Sequence, residues 1–432
     1  MDFLLDISLV DGPFLWLSII GGVAGATYLL WRRQRSWPLT VAACVAGGVA
    51  VVALAHWVLV DLMAVFSENL PFETLAWSVP AVAAALLFAT RFPRSTWKSR
   101  AGGLAAMLGV VLMSVVQVNV YFGLNNTVAD LLGTAVARIQ PLEGSLQRAP
   151  GSKPGPALSD WKAPGSMPRG GILRKAQIPG NASGFTAREA YIYLPPAYQT
   201  AARPSLPVLV LFSGQPGGPA DWLTGGQLRA QLDRFAEAHG GIAPVAVVVD
   251  PNGSGSANTL CMDSRIAHAD TYLSQDVPAW ISSTLEVSND HRLWAVGGFS
   301  FGGTCAVQMG TMHPELFTSI VGFSAEREPS LAKDRNKTIA DSFDGDVAAF
   351  ESRTPLFLMQ QRDYAGSGLY LAAGATDTEF TDYMHVLADA GKAAGFTIQA
   401  HSIQHAGHSW DAVVRGMPDA LDFLSARWGI VQ

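Results

Sequence analysis

Charge is scarce in this chain and cysteine is scarcer. Only 15% of the 432 residues are Asp, Glu, Lys or Arg, which is low for a wholly soluble protein. The net charge of -6, with no basic patch interleaved with aromatics, argues against a nucleic-acid partner. The three cysteines, Cys44, Cys261 and Cys305, form neither a CxxC pair nor a zinc-ligand spacing. Cys44 lies in an apolar run and reads as a small hydrophobe. Cys261 and Cys305 are expected as two separate buried thiols, with Cys305 facing inward from its helix. A bridge between them is the alternative.

What is abundant is apolar sequence, and most of it lies in the first third. Four long stretches, Pro13–Trp31, Trp37–Val60, Thr74–Phe92 and Ala101–Phe122, each approach the length that crosses a bilayer as a helix. Their glycines suit close helix packing in lipid, and Trp16, Trp31, Trp37, Trp57, Trp77 and Trp97 suit interfacial belts. Asp2, Asp6 and Asp11 stand where a cleavable leader would carry basic residues. Arg32, Arg33 and Arg35 fill the first loop, and Arg91, Arg94, Lys98 and Arg100 the third, whereas the second holds Asp61, Glu68 and Glu73. By the positive-inside rule the first and third loops are cytoplasmic, and everything after Phe122 lies outside the cytoplasm. His56, the one ionisable group well inside a span, is read as satisfied by a neighbouring helix.

Residues Asn125–Ile139 suit a short amphipathic helix, and Gln147–Gly171, rich in Pro, Gly and Ser, reads as a linker. The expected division is 1–123 for the membrane helices, 124–171 for an extracytoplasmic helix and linker, and 172–432 for a soluble domain. In that domain short apolar runs (Tyr191–Leu194, Val208–Phe212, Val245–Val249, Ala295–Phe299, Ser319–Phe323, Leu369–Ala373, Thr397–Ile403) alternate with helical ones (Gly226–His239, Ser274–Leu285, Phe301–Met312, Glu379–Ala394). The alternation predicts an α/β domain with a mostly parallel sheet.

Gly298-Phe299-Ser300-Phe301-Gly302 is a G-x-S-x-G motif between an apolar strand and a helix, the setting of a nucleophile elbow. Its base is sought among His401, His405 and His408. His408 is favoured because it lies in the loop after the last strand. An acid must fix the imidazole tautomer. Asp377, in the turn after Leu369–Ala373, is favoured over its rival Glu379. Ser300, Asp377, His408 is the chain order of α/β-hydrolases. The oxyanion needs two backbone donors. Phe301 is one, and Gln215, in the Ser213–Gly218 loop, is the other, since Pro216 has no N–H.

Taken together, the residues from Ala190 to Gly429 resemble the esterase D and enterochelin-esterase group, which includes the antigen 85 mycolyltransferases of actinobacteria. The matching features are Tyr191–Tyr198, the Ser213–Gly218 loop, Asp221-Trp222, Tyr272–Ile281, the Ser300 elbow, Gly374–Asp377 and Gly407–Trp410. The resemblance implies an α/β-hydrolase fold and a Ser–Asp/Glu–His mechanism with neither metal nor cofactor. It also implies a carboxylic ester or acyl donor as substrate, with Asp221 and Trp222 at the substrate site. Two departures stand out. Ser213-Gly214 replaces the His-Gly of many members, and Asp377 stands where the antigen 85 branch uses Glu. The expected function is a multi-pass membrane esterase or acyltransferase acting outside the cytoplasm on lipid or envelope esters, with water or a sugar hydroxyl as acceptor. A catalytically silent binding or sensor module is the alternative. A transporter role finds no support, because the spans lack intramembrane carboxylates or basic residues.

Overall fold

The computed structural model describes residues 2–94, 96–151 and 155–430. It divides into two compact units, 1–135 and 136–432.

The first unit holds four helices long and apolar enough to cross a membrane: Gly12–Leu30, Trp37–Leu62, Phe72–Arg91 and Trp97–Phe122. Helices of this length span roughly 28–39 Å. Small residues set the spacing between them. A Cβ on Gly25 would collide with the Ala106 carbonyl, and one on Gly109 would lie 3.0 Å from the Gly21 carbonyl oxygen. Large apolar side chains such as Trp16, Ile20, Leu39, Leu54 and Val115 point outward instead. That distribution suits lipid rather than water. Arg91 ties the end of the first span to the end of the third, donating to the carbonyls of Tyr28 at 2.7 Å and Trp31 at 2.6 Å. His56 meets Asn69 of the following loop, Nε2 to Oδ1 3.3 Å, rather than a neighbouring helix.

The expected amphipathic helix is broken. Val128–Leu131 and Thr134–Ala137 are single turns, separated at Gly133, whose φ is +66°. The stretch expected as a linker is also partly built into the second unit. Leu158 and Trp161 pack on the core of that unit. The Trp161 indole donates to the Ala202 carbonyl at 2.9 Å. Proline and glycine keep this stretch from helix or strand, but its few apolar side chains still find the domain.

The second unit is built on one nine-stranded sheet: β1 Gln140–Pro141, β2 Ile172–Ala176, β3 Ala190–Leu194, β4 Val208–Phe212, β5 Val245–Val249, β6 Trp294–Phe299, β7 Ser319–Phe323, β8 Gly368–Gly374 and β9 Thr397–Ile403. The spatial order is β1-β2-β3-β5-β4-β6-β7-β8-β9. Strands β4 to β9 run parallel, while β3 is antiparallel to both β2 and β5. Strands β4 to β8 are buried throughout, which is why they read as continuous apolar runs. This is the α/β-hydrolase arrangement. The order of strands reverses around β4, so the crevice beyond the carboxyl ends of β4 and β6 is where such a sheet places a site.

Buried tyrosines tie the core to helix carbonyls: Tyr198 to Leu146 at 2.7 Å, Tyr364 to Thr311 at 2.7 Å and Tyr370 to Gly416 at 3.1 Å. Burial pushes the Tyr364 hydroxyl up to about 12. Between β7 and β8 the chain inserts three short helices, Arg335–Phe343, Val347–Glu351 and Pro355–Gln361. The first two share a small apolar cluster, Leu260, Met262, Ile339 and Phe350, with the long segment after β5, while Met359 of the third joins the main core.

That segment carries Cys261, which is bridged to Cys305, with Cα atoms 5.5 Å apart. The expectation of two separate thiols is therefore corrected. The helix Phe301–Met312 has no solvent face, being buried from Gly302 through Thr311. Cys305 is thus covered without having to point at the sheet.

Candidate active site

Ser300 joins β6 directly to the helix Phe301–Met312, at φ 57° and ψ -124°. A side chain holds such a backbone only when its surroundings over-determine it. Here they do. The Ser300 N–H donates to the Phe323 carbonyl of β7 at 2.9 Å, and its carbonyl accepts from Thr304 N–H at 3.0 Å. The glycines clear the turn: a Cβ on Gly298 would collide with the Gly302 carbonyl, and one on Gly302 with the Phe212 carbonyl of β4. The hydroxyl is thereby held at the N-terminal, electropositive end of a helix.

His408 lies between β9 and the helix Trp410–Trp428. Its Nε2 is 2.8 Å from Ser300 Oγ, and its Nδ1 is 2.8 Å from Asp377 Oδ2. An ionised carboxylate only accepts, so Nδ1 carries the proton and Nε2 is left to accept from the serine hydroxyl. The side chains of His408 and Asp377 are each 11% exposed. Phe380 and Phe299 flank the imidazole, with ring centroids at 4.3 and 5.2 Å. The turn carrying Asp377 is joined to the loop carrying His408. Thr376 donates to the Ala406 carbonyl through N–H at 3.0 Å and through Oγ1 at 2.9 Å, and Ala375 N–H donates to the Ile403 carbonyl at 2.9 Å. A side chain on Gly374 would strike the Gly407 carbonyl.

The rivals stand elsewhere. Glu379 is exposed and accepts from the Tyr383 hydroxyl at 2.7 Å. Burial first, then that bond, pushes the Tyr383 hydroxyl upward. His405 is exposed at φ 59°, and His401 stacks on Tyr370 within β9 at 5.5 Å.

The Ser213–Gly218 loop leaves β4 beside the elbow. A Cβ on Gly214 would stand 3.5 Å from Ser300 Cβ, so the backbone leading to Gln215 passes against the serine. The Gln215 side chain turns away to the Ser256 carbonyl at 3.0 Å. Phe301 opens the helix.

Trp222 has no exposed surface; its indole donates to the Phe212 carbonyl at 2.8 Å and meets Trp410 edge-on at 5.2 Å. A side chain held in this way supports the loop from beneath. The Asp221 carboxylate accepts from Gly218 N–H at 2.8 Å, and burial raises its pKa above the usual carboxylate range. Sequence reasoning also passed over Arg188 and Asp250, which meet beside this loop at 2.8 Å. The available signal was an aspartate immediately after a wholly apolar strand. Among the described residues, no group of three His, Cys, Asp or Glu is placed to hold a metal ion.

Comparison with known proteins gives three kinds of likeness. The family model Esterase matches residues 186–423. An uncharacterized protein of Corynebacterium glutamicum is 37% identical over 254 residues, which is 57% of this chain and 59% of that protein. The S-formylglutathione hydrolase of Paracoccus denitrificans is 26% identical over 285 residues, covering 60% of this chain and 95% of the enzyme. A solved ferulic acid esterase superposes with a TM-score of 0.50 at 18% identity, over 60% of this chain and 98% of its own; that likeness is one of fold.

Proposed function

Since the chain belongs to the esterase family of serine hydrolases, we propose that it is a membrane-anchored esterase or acyltransferase working through an acyl-enzyme on Ser300. The observation that carries this reading is the Ser300–His408–Asp377 line, with both hydrogen bonds at 2.8 Å. Ser300 Oγ attacks the acyl carbonyl while His408 Nε2 takes its proton. Asp377 holds the tautomer and stabilises the imidazolium. The backbone N–H groups of Gln215 and Phe301 receive the oxyanion. As the tetrahedral species collapses, His408 returns the proton to the leaving alkoxide. The same imidazole then deprotonates water or a sugar hydroxyl, which attacks the ester carbonyl, and on collapse it passes that proton to Ser300 Oγ as the acyl–serine bond breaks.

The substrates proposed are lipid or cell-envelope esters, taken outside the cytoplasm. Three features support that side and that class. Four apolar helices precede the hydrolase unit. The basic residues gather in the first and third loops. The Cys261–Cys305 bridge belongs to oxidising compartments.

The test is ester turnover by the full chain in detergent, using a p-nitrophenyl ester. Ser300→Ala is expected to leave a folded protein with turnover lower by several orders of magnitude. Turnover near that of the unaltered protein excludes the mechanism.

A further inference from the structure

At the carboxyl end of β5 the chain leaves the sheet through Asp250, whose side chain has no exposed surface. A buried carboxylate is costly unless paired and hydrogen-bonded. Arg188, two residues before β3, meets it three times: backbone N–H to Oδ2 at 2.8 Å, Nε to Oδ2 at 2.9 Å and Nη2 to Oδ1 at 2.8 Å. Asn252 N–H adds a bond to Oδ1 at 3.1 Å. The other arm of the guanidinium, Nη1, reaches past the pair and donates to the Gly217 carbonyl at 2.9 Å. The same glycine donates its N–H to the Gly255 carbonyl at 2.9 Å. A Cβ on Gly218 would stand 2.7 Å from Nη1, so the guanidinium fills the space a side chain there would need.

Gly217 lies two residues beyond Gln215, and Gly214, one residue before it, rests against the Ser300 elbow. The short segment between them is therefore held at one end by the nucleophile turn and at the other by the arginine. A buried ion pair is by itself weak evidence for stability. What this one adds is a fixed peptide two residues from the proposed oxyanion donor. We infer that Arg188 and Asp250 are positioning residues for the oxyanion loop: the carboxylate fixes the guanidinium, and the guanidinium fixes the Gly217 peptide and with it the direction of the Gln215 N–H. Neither residue touches substrate. The inference rests on the reading of Ser300 and Gln215 given above.

The test uses the full chain, p-nitrophenyl butyrate as substrate and a fluorophosphonate to count active sites. Arg188→Lys keeps the charge but loses the planar fork. Its kcat per titrated site is expected to fall about 10²-fold, as for a small misplacement of a catalytic group, with KM little changed. Affinity for phenylboronic acid, whose tetrahedral adduct draws on the same donors, is expected to fall in parallel. A lowered melting temperature with unaltered kcat per site and unaltered boronate affinity overturns the inference. If Arg188→Lys does not fold, the pair Arg188→Gln and Asp250→Asn removes both charges together and is read in the same way. A natural chain that takes up no fluorophosphonate overturns the reading of Ser300 itself, an outcome seen before any variant is made.

Discussion

His408 Nε2 stands 2.8 Å from Ser300 Oγ although 108 residues separate them in the chain. Two neighbouring features of the sheet bring this about. Strand β6 delivers Ser300 at its carboxyl end, and β8 and β9, further along the same edge, deliver Asp377 and His408. The joined turns at Thr376 and Ala406 then fix the imidazole between Asp377 and the serine.

The acid is distinguishable by mutation. Asp377→Asn leaves His408 without the partner that selects its tautomer, and kcat is expected to fall by about 10⁴. Glu379 faces Tyr383 instead, and Glu379→Gln is expected to change kcat little. Steady-state turnover of both variants is the check, and the reverse ranking moves the acid to Glu379.

The bridge is open to a thiol count. Denatured, unreduced protein is expected to show one free thiol, Cys44. Closing a loop across a separation of 44 residues restricts the unfolded chain, and losing it costs about 2–4 kcal/mol. Cys261→Ser with Cys305→Ser is therefore expected to lower the melting temperature. Three free thiols remove both the bridge and its support for an oxidising compartment.

A pH dependence is expected at His313, on the residue that closes the helix Phe301–Met312. Burial alone would lower its pKa. The Asp270 carboxylate, 2.7 Å from Nε2, and Glu315 outweigh that and raise it above the ordinary 6.5. A raised histidine contributes stability that is complete below the ordinary value and lost as pH rises through the raised one. Melting temperature followed upward from pH 6.5 is expected to decline more in the natural protein than in His313→Gln. Parallel curves would remove His313 from the explanation.

The sequence made the sheet legible because β4 to β8 are buried on both faces and so appear as unbroken apolar runs. The elbow was legible because its backbone leaves no room for side chains at positions 298 and 302. Strand β2, half-buried throughout, and the two-residue β1 carry no such signal. The insertion helices between β7 and β8 are short, and the first two pack on a small local cluster, so no long periodic pattern marks them. The packing of Trp222 was not legible for a different reason. A tryptophan beside a proposed ligand loop reads equally well as a contact or as a support, and nothing local in the sequence announces its indole bond to the Phe212 carbonyl. Arg188 and Asp250 are 62 residues apart, and pairing of that kind is set by the antiparallel register of β3 and β5 rather than by any local motif.

The most direct measurement is the site of covalent capture. Incubation of the full chain with a fluorophosphonate, followed by proteolysis and mass spectrometry, is expected to place one adduct on Ser300 and none on the Ser300→Ala protein. An adduct confined to another residue, or none on protein that is folded, contradicts an acyl-enzyme mechanism at this serine.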